Sequence, residues 1–308
     1  MALSTNTSDP RVDARRRRTV VWVVGLATLG LIFDGYDLVV YGAVVSTFLR
    51  DPSQIGHVSP AMAGALGSYA LVGVLVGALL AGTVGDIIGR RKVMLTAYAW
   101  FAIGMAVTAL TSTVSMFGLL RFLTGLGVGA LVATTGALVA EYAPPGKKNL
   151  ATAITYSGVP VGSLLAALLA ILLLDQIGWR GMFWIGALPL VTLLPLAVLK
   201  MPESVAWLAA TGRHDRAREI SERTGVPVPY AAPGAHDTAG AVRAPEGRAG
   251  FAGLFSGTYI LPTVLLGLMS ATGLMLVYSL NTWLPELMRR AGFEAKGSLA
   301  FLLVLNGG

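Results

Sequence analysis

The chain has 308 residues, of which 55% are hydrophobic and only 13% charged, with a formal net charge of +7. Soluble domains carry about 25% charged residues, so a fully water-exposed fold is excluded and an all-α membrane protein is expected. The basic residues sit in clusters between apolar runs rather than on one continuous face, which excludes nucleic acid as a partner.

A membrane-crossing helix needs about 20 mostly apolar residues. Seven runs qualify, at 20–49, 61–84, 93–112, 115–140, 150–174, 181–199 and 259–281, and an eighth begins near Ser298. The first run is too long for a signal-peptide core and has no clear small-residue cleavage site, so it is read as a retained span. The expected organisation is a cytoplasmic tail at 1–19, a six-helix transmembrane domain at 20–199, a cytoplasmic linker at 200–258, and the start of a second transmembrane domain at 259–308. In the linker, Glu203 to Thr224 reads as one or two amphipathic helices. The Pro-, Gly- and Ala-rich stretch after it reads as flexible. The last apolar run stops at Asn306-Gly307-Gly308, as expected of a fragment or a truncated protein.

Orientation follows from Lys and Arg in the flanks. With the N-terminus in the cytoplasm, Arg15 to Arg18, Arg90 to Lys92, Lys147, Lys148 and the basic residues of the linker all fall inside. Only Arg50, Arg180, Arg289, Arg290 and Lys296 fall outside. Shifting the count by one span destroys this asymmetry.

Three charged residues lie at membrane depth, where each costs about 2.5–3.5 kcal/mol on insertion scales. Asp34 is about 14 residues into the first span, or roughly 21 Å at 1.5 Å per residue. Asp37 follows one turn later and Tyr41 four residues after that, which places all three on one helix face. Two carboxylates this close in a low dielectric do not both ionise easily. A carboxyl that gains and loses a proton is what a proton-coupled carrier requires. Arg121, in the fourth span, lies at a similar depth. Its guanidinium suits an ion pair with a first-span aspartate or a fork around an anionic solute. Glu141 ends the fourth span, where it is expected to pair with Arg90 and Arg91 or to act as an interfacial anchor.

The stretch Gly82-Thr-Val-Gly-Asp86-Ile-Ile-Gly89-Arg90-Arg91-Lys92 reads as a tight loop with an acid–base cluster. It is suited to latch helix ends in one conformation and release them in another, with Gly82, Asp86, Gly89, Arg90 and Arg91 as its working residues. Gly73 and Gly77 in the second span, and Gly125 and Gly129 in the fourth, are small-xxx-small pairs of closely packed helices. Pro160 is expected to kink the fifth span.

The 82–92 stretch resembles the signature between spans two and three of the major facilitator superfamily, with Ile87 where a basic residue is usual. Arg121 with Gly125 and Gly129 resembles that superfamily's span-four motif, and Pro202-Glu203-Ser204 the end of its first half. Phe33-Asp34-Gly35-Tyr36-Asp37, continuing to Tyr41-Gly42, is similar to the span-one signature of the aromatic acid/proton symporters. Asn281-Thr-Trp283-Leu284-Pro285 is similar to that family too. The resemblance implies a major facilitator fold, present here as the N-terminal six-helix half plus one or two helices of the second. It implies symport of an anionic aromatic carboxylate with protons, by alternating access, across the inner membrane of a bacterium. It assigns transport roles to Asp34, Asp37, Asp86, Arg90, Arg121 and Glu141.

Two alternatives remain at this level: a carrier of the same fold for another organic acid, a sugar or a drug, and a truncated membrane protein that does not transport. An enzyme is not expected, since no Ser/His/Asp set or phosphate loop occurs in a plausible context. No cofactor beyond a proton gradient is called for. The chain has no cysteine, and His57, His214 and His236 all lie outside the apolar runs, so no metal site is expected. Oligomeric state is not encoded in any pattern read here.

Overall fold

A computed structural model describes residues 10–144, 146–228, 257 and 259–307. Among these the regular secondary structure is all helical, with α1 Pro10–Arg50, α2 Pro60–Ile88, α3 Arg90–Ala109, α4 Val114–Tyr142, α5 Lys148–Tyr156 and α6 Gly158–Gly186. A 3-10 turn at Leu188–Leu190 leads to α7 Leu193–Lys200, α8 Val205–Ala210, α9 His214–Thr224, α10 Ile260–Arg290 and α11 Ala295–Gly307. Six stretches among the described residues are long and apolar enough to cross a membrane. One of them, Lys148–Lys200, is 53 residues long, about 80 Å of helix and enough for two crossings.

Local chemistry sets the ends of these helices. Ser59 and Thr113 cap α2 and α4 by accepting from the backbone N–H of Met62 and Met116. Pro160 has no N–H to give the Tyr156 carbonyl, and the expected kink is a one-residue interruption at Ser157 between α5 and α6. The sharper break lies at Gly178, whose φ of 65° and ψ of −179° end one helical run and start another. Helix α1 begins at Pro10, well before the apolar run. Arg15 anchors this polar extension by donating to the Glu222 carbonyl in the last turn of α9.

The chain divides into two compact units, Met1–Pro229 with Thr282–Gly308, and Tyr230–Asn281. In the second unit the described residues form the first two-thirds of α10, with Leu266, Met269 and Met275 exposed. The part of the linker read as flexible lies outside the described residues from 229 to 256. The part from 203 to 224 forms α8 and α9.

In the first unit α2 and α4 pack backbone to backbone. A Cβ on Gly73 would meet the Phe122 carbonyl and one on Gly77 the Leu126 carbonyl. From the other side, Gly125 faces the Ala70 carbonyl and Gly129 that of Val74. The two small-residue pairs read in the sequence are therefore opposite sides of one contact. Helix α1 packs on α6 in the same manner, with Gly35 against the Val159 carbonyl and Ser163 donating to the Gly35 carbonyl. Between α1, α4 and α6 an edge-to-face aromatic cluster of Phe48, Phe117, Trp179 and Phe183 fills the core, with ring centroids 5.0–6.0 Å apart.

Gly77→Ala and Gly25→Ala make the same chemical change in different surroundings. Gly77 has a carbonyl where the new methyl must go, whereas nothing lies within 4 Å of a Cβ on Gly25. Gly77→Ala is expected to destabilise by about 1–3 kcal/mol through overpacking. Gly25→Ala is expected to be neutral or stabilising by up to about 1 kcal/mol of helix propensity. Thermal denaturation of the two purified variants beside the parent protein checks the contrast.

Candidate functional site

Helix α1 carries Asp34, Asp37 and Tyr41 along one face, and α4 brings Arg121 to it. Arg121 Nη1 donates to Asp37 Oδ1 at 2.6 Å, and the two side chains are only 5% and 7% exposed. The same guanidinium lies 5.0 Å from the centroid of the Tyr41 ring, a cation–π contact. The Tyr41 hydroxyl donates to the Ala63 carbonyl of α2, and the Tyr36 hydroxyl to that of Met182 in α6 at 2.8 Å. Asp37, Tyr41 and Arg121 thus link α1, α2 and α4 through polar contacts inside an apolar bundle.

Asp34 stands apart from this pair. It is partly exposed and makes no hydrogen bond or ion pair with a described residue. It lies within electrostatic reach of Asp37 and of Tyr156 at the end of α5. One of the two aspartates read from the sequence is therefore locked to Arg121, and the other is unpaired one turn away. The Arg121 Nε is buried without a hydrogen-bond partner, so the guanidinium has donor capacity beyond what Asp37 takes up.

A second cluster closes one end of the bundle. The stretch 82–92 is not the loop expected from its glycines: α2 runs through Asp86 to Ile88, and Gly89 alone separates it from α3. Gly89 has φ +105°, and a Cβ there would meet the Glu203 carboxyl and the Trp207 ring. Only glycine suits both the backbone and the space. Asp86 and Arg90 form an i,i+4 pair at 3.5 Å in an exposed position, which contributes little to stability. Gly82 has open space around it.

Arg91 does more at this end. Its backbone N–H donates to Glu203 Oε1 at 2.9 Å, and its guanidinium to the Met201 carbonyl at 2.7 Å and the Val198 carbonyl at 2.6 Å. Trp207 Nε1 donates to the Asp86 carbonyl at 2.8 Å. Glu141 does not pair with Arg90 or Arg91, contrary to one expectation. It accepts from Ser204 Oγ at 2.6 Å and from the Ala206 N–H at 3.0 Å. The carboxylate completes the N-terminal cap of α8, where the helix dipole and orphan N–H groups favour an anion. Arg91 is taken up by α7 carbonyls and Glu203, which leaves Glu141 the α8 terminus.

Glu203, Ser204 and Trp207 were not picked out as partners of this cluster. Ser204 did carry a signal, since it stands just before an apolar helix as an N-cap does. That Glu203 and Trp207 meet Gly89, more than a hundred residues earlier, had none.

These features define a polytopic α-helical membrane protein with a buried ion pair near its centre and a polar clasp at one end. Residues 27–308 match the Major Facilitator Superfamily, and the chain belongs to that family. It is 33% identical to the benzoate transport protein of Acinetobacter baylyi, over 93% of this chain and 61% of that protein. It is also 33% identical to the gentisate transporter of Corynebacterium glutamicum, over 90% of this chain and 56% of that protein. The chain therefore spans about three-fifths of the length of these relatives. Among solved structures, a D-xylose–proton symporter shares its fold with a TM-score of 0.66 at 21% identity, over 94% of this chain and 66% of the other.

Removing one charge of the central pair leaves the other buried and uncompensated. Asp37→Asn alone and Arg121→Gln alone are each expected to destabilise by about 3–5 kcal/mol, and the double variant by less than their sum. A double-mutant cycle by denaturation in detergent measures this coupling. At the clasp, Glu141→Gln replaces a charged acceptor with a neutral one, at an expected cost of about 1 kcal/mol. Faster hydrogen–deuterium exchange in α8, with α2 and α4 unaffected, is the expected readout.

Proposed function

We propose that the protein is a secondary transporter that moves a small aromatic carboxylate together with protons, by alternating access across a bacterial inner membrane. The observation that carries this reading is the buried Arg121–Asp37 pair with Asp34 unpaired one turn away on α1. The relatives named for benzoate and gentisate support the solute class.

The electrostatics suggest how such a cycle works. A guanidinium buried among apolar helices needs an anionic partner at every stage. In the solute-free state Asp37 is that partner. A substrate carboxylate, planar and bidentate, takes the place of Asp37 as that carboxyl accepts a proton. Solute and proton then enter together without a change in the net charge of the pair. Asp34, near Asp37 and Tyr156, is the candidate relay for the proton. In this reading Asp86, Arg90, Arg91 and Glu141 belong to a clasp at the cytoplasmic end, and its contacts to Glu203, Ser204 and Trp207 break when that end opens. The basic residues at the same end support a cytoplasmic N-terminus. The reading is of a carrier, not of an enzyme.

The test is uptake of labelled 4-hydroxybenzoate into cells expressing the protein, with and without a protonophore, for the parent and Asp34→Asn. Uptake abolished by the protonophore and by Asp34→Asn is the expected result. Uptake indifferent to the protonophore would remove proton coupling, and full activity of Asp34→Asn would remove Asp34 from the relay.

A further inference from the structure

The end of the bundle opposite the clasp holds a second concentration of charge. A cavity of about 420 Å³ lies between the C-terminal end of α1, the start of α2 and the C-terminal turns of α10. Its charged and titratable lining is Arg50, His57, Arg289, Arg290 and one carboxylate, Glu286. Glu286 is already engaged: it accepts from Ser46 Oγ, Arg289 Nη2 and Arg290 Nε, each at 2.9 Å. Its charge is shared by two guanidiniums.

Arg50 has no hydrogen bond or ion pair with a described residue, and its charge lies within reach of that of Arg289. The neighbouring Asp51 forms no ion pair with Arg50 among the described residues: its carboxylate accepts from Ser53 and Gln54, which hold it below its ordinary range, and it lines an adjacent cavity rather than this one. Arg289 Nε is buried without a hydrogen-bond partner. Helix α2 opens on this cavity at Ser59 and Pro60, presenting the positive end of its dipole. Three guanidiniums and one carboxylate make the lining of this cavity net positive, with room for a small molecule.

We propose that this cavity is a binding site for a small carboxylate, separate from the Arg121–Asp37 pair, with Arg50 and Arg289 as its anion-binding groups. Along α1, Arg50 lies 13 residues beyond Asp37, about 20 Å of helix, so one solute does not touch both. The site gathers carboxylates at the mouth of the protein and raises their local concentration, as clefts of one charge sign do. The choice of carboxylate, rather than another anion, rests on the function proposed above.

The test is arginine modification of the full chain in phosphatidylcholine nanodiscs with 2,3-butanedione, mapped by peptide mass spectrometry. Benzoate near saturation is expected to slow modification of Arg50 about tenfold by occupancy, while benzyl alcohol, its uncharged counterpart, does not. Arg289→Gln is expected to abolish most of this protection. Arg290→Gln, at a largely exposed side chain, is expected to weaken it and serves if the first variant does not fold. Equal rates with and without benzoate would overturn the site. So would protection by benzyl alcohol, or by inorganic phosphate with none by benzoate, the latter pointing to a lipid headgroup. Protection is read without a gradient or translocation, so a failed uptake assay and a failed protection assay are separate results.

Discussion

In hydrocarbon no hydrophobic force draws one helix to another, because lipid tails are as apolar as leucine. What holds α2 to α4 is contact at the shortest range, and that requires the absence of side chains at Gly73, Gly77, Gly125 and Gly129. The rest of the bundle depends on this approach. It sets the position of α4, and α4 presents Arg121 to Asp37 on α1. A side chain at any of these glycines pushes the two backbones apart and moves the guanidinium with them.

The bundle thus combines two kinds of interaction with different roles. Backbone-to-backbone packing, at the α2–α4 and α1–α6 contacts, leaves no open space for an added methyl. Polar contacts lie at the centre and at both ends. The Arg121 guanidinium has a buried Nε without a partner, and Arg91 holds helix ends through carbonyls and one carboxylate.

Some of the site was legible before any coordinates. Asp34, Asp37 and Arg121 stood out because charge at membrane depth is costly and is retained only for a reason. Gly89, Arg90 and Arg91 stood out by spacing. The partners were less legible. That Asp37 rather than Asp34 takes Arg121 depends on the rotation of α1 against α4, which periodicity does not give. Glu141 was expected near Arg90 and Arg91, yet it caps α8. An acidic residue at a helix end is attracted equally by basic side chains and by free N–H groups, and only the position of α8 decides between them. The 82–92 stretch looked like a loop because of its glycines, but flanking helices tolerate Gly82 and Gly85, and only Gly89 has the positive φ that stops them.

The sequence by itself determined the class of the protein, because hydrophobic run length and the placement of charge answer to the bilayer alone, whatever the helices do to one another. It marked the apolar runs, the small-residue faces, and the charged residues that are costly at membrane depth. The tertiary structure decided which of those residues meet. It joined Arg121 to Asp37 and left Asp34 unpaired. It joined Arg91 to Glu203 and Glu141 to Ser204, and it gathered Arg50, Arg289 and Arg290 around one occupied carboxylate. Such pairings bring together groups far apart along the chain, and they follow from how each helix is rotated and how closely it packs, which no local pattern records.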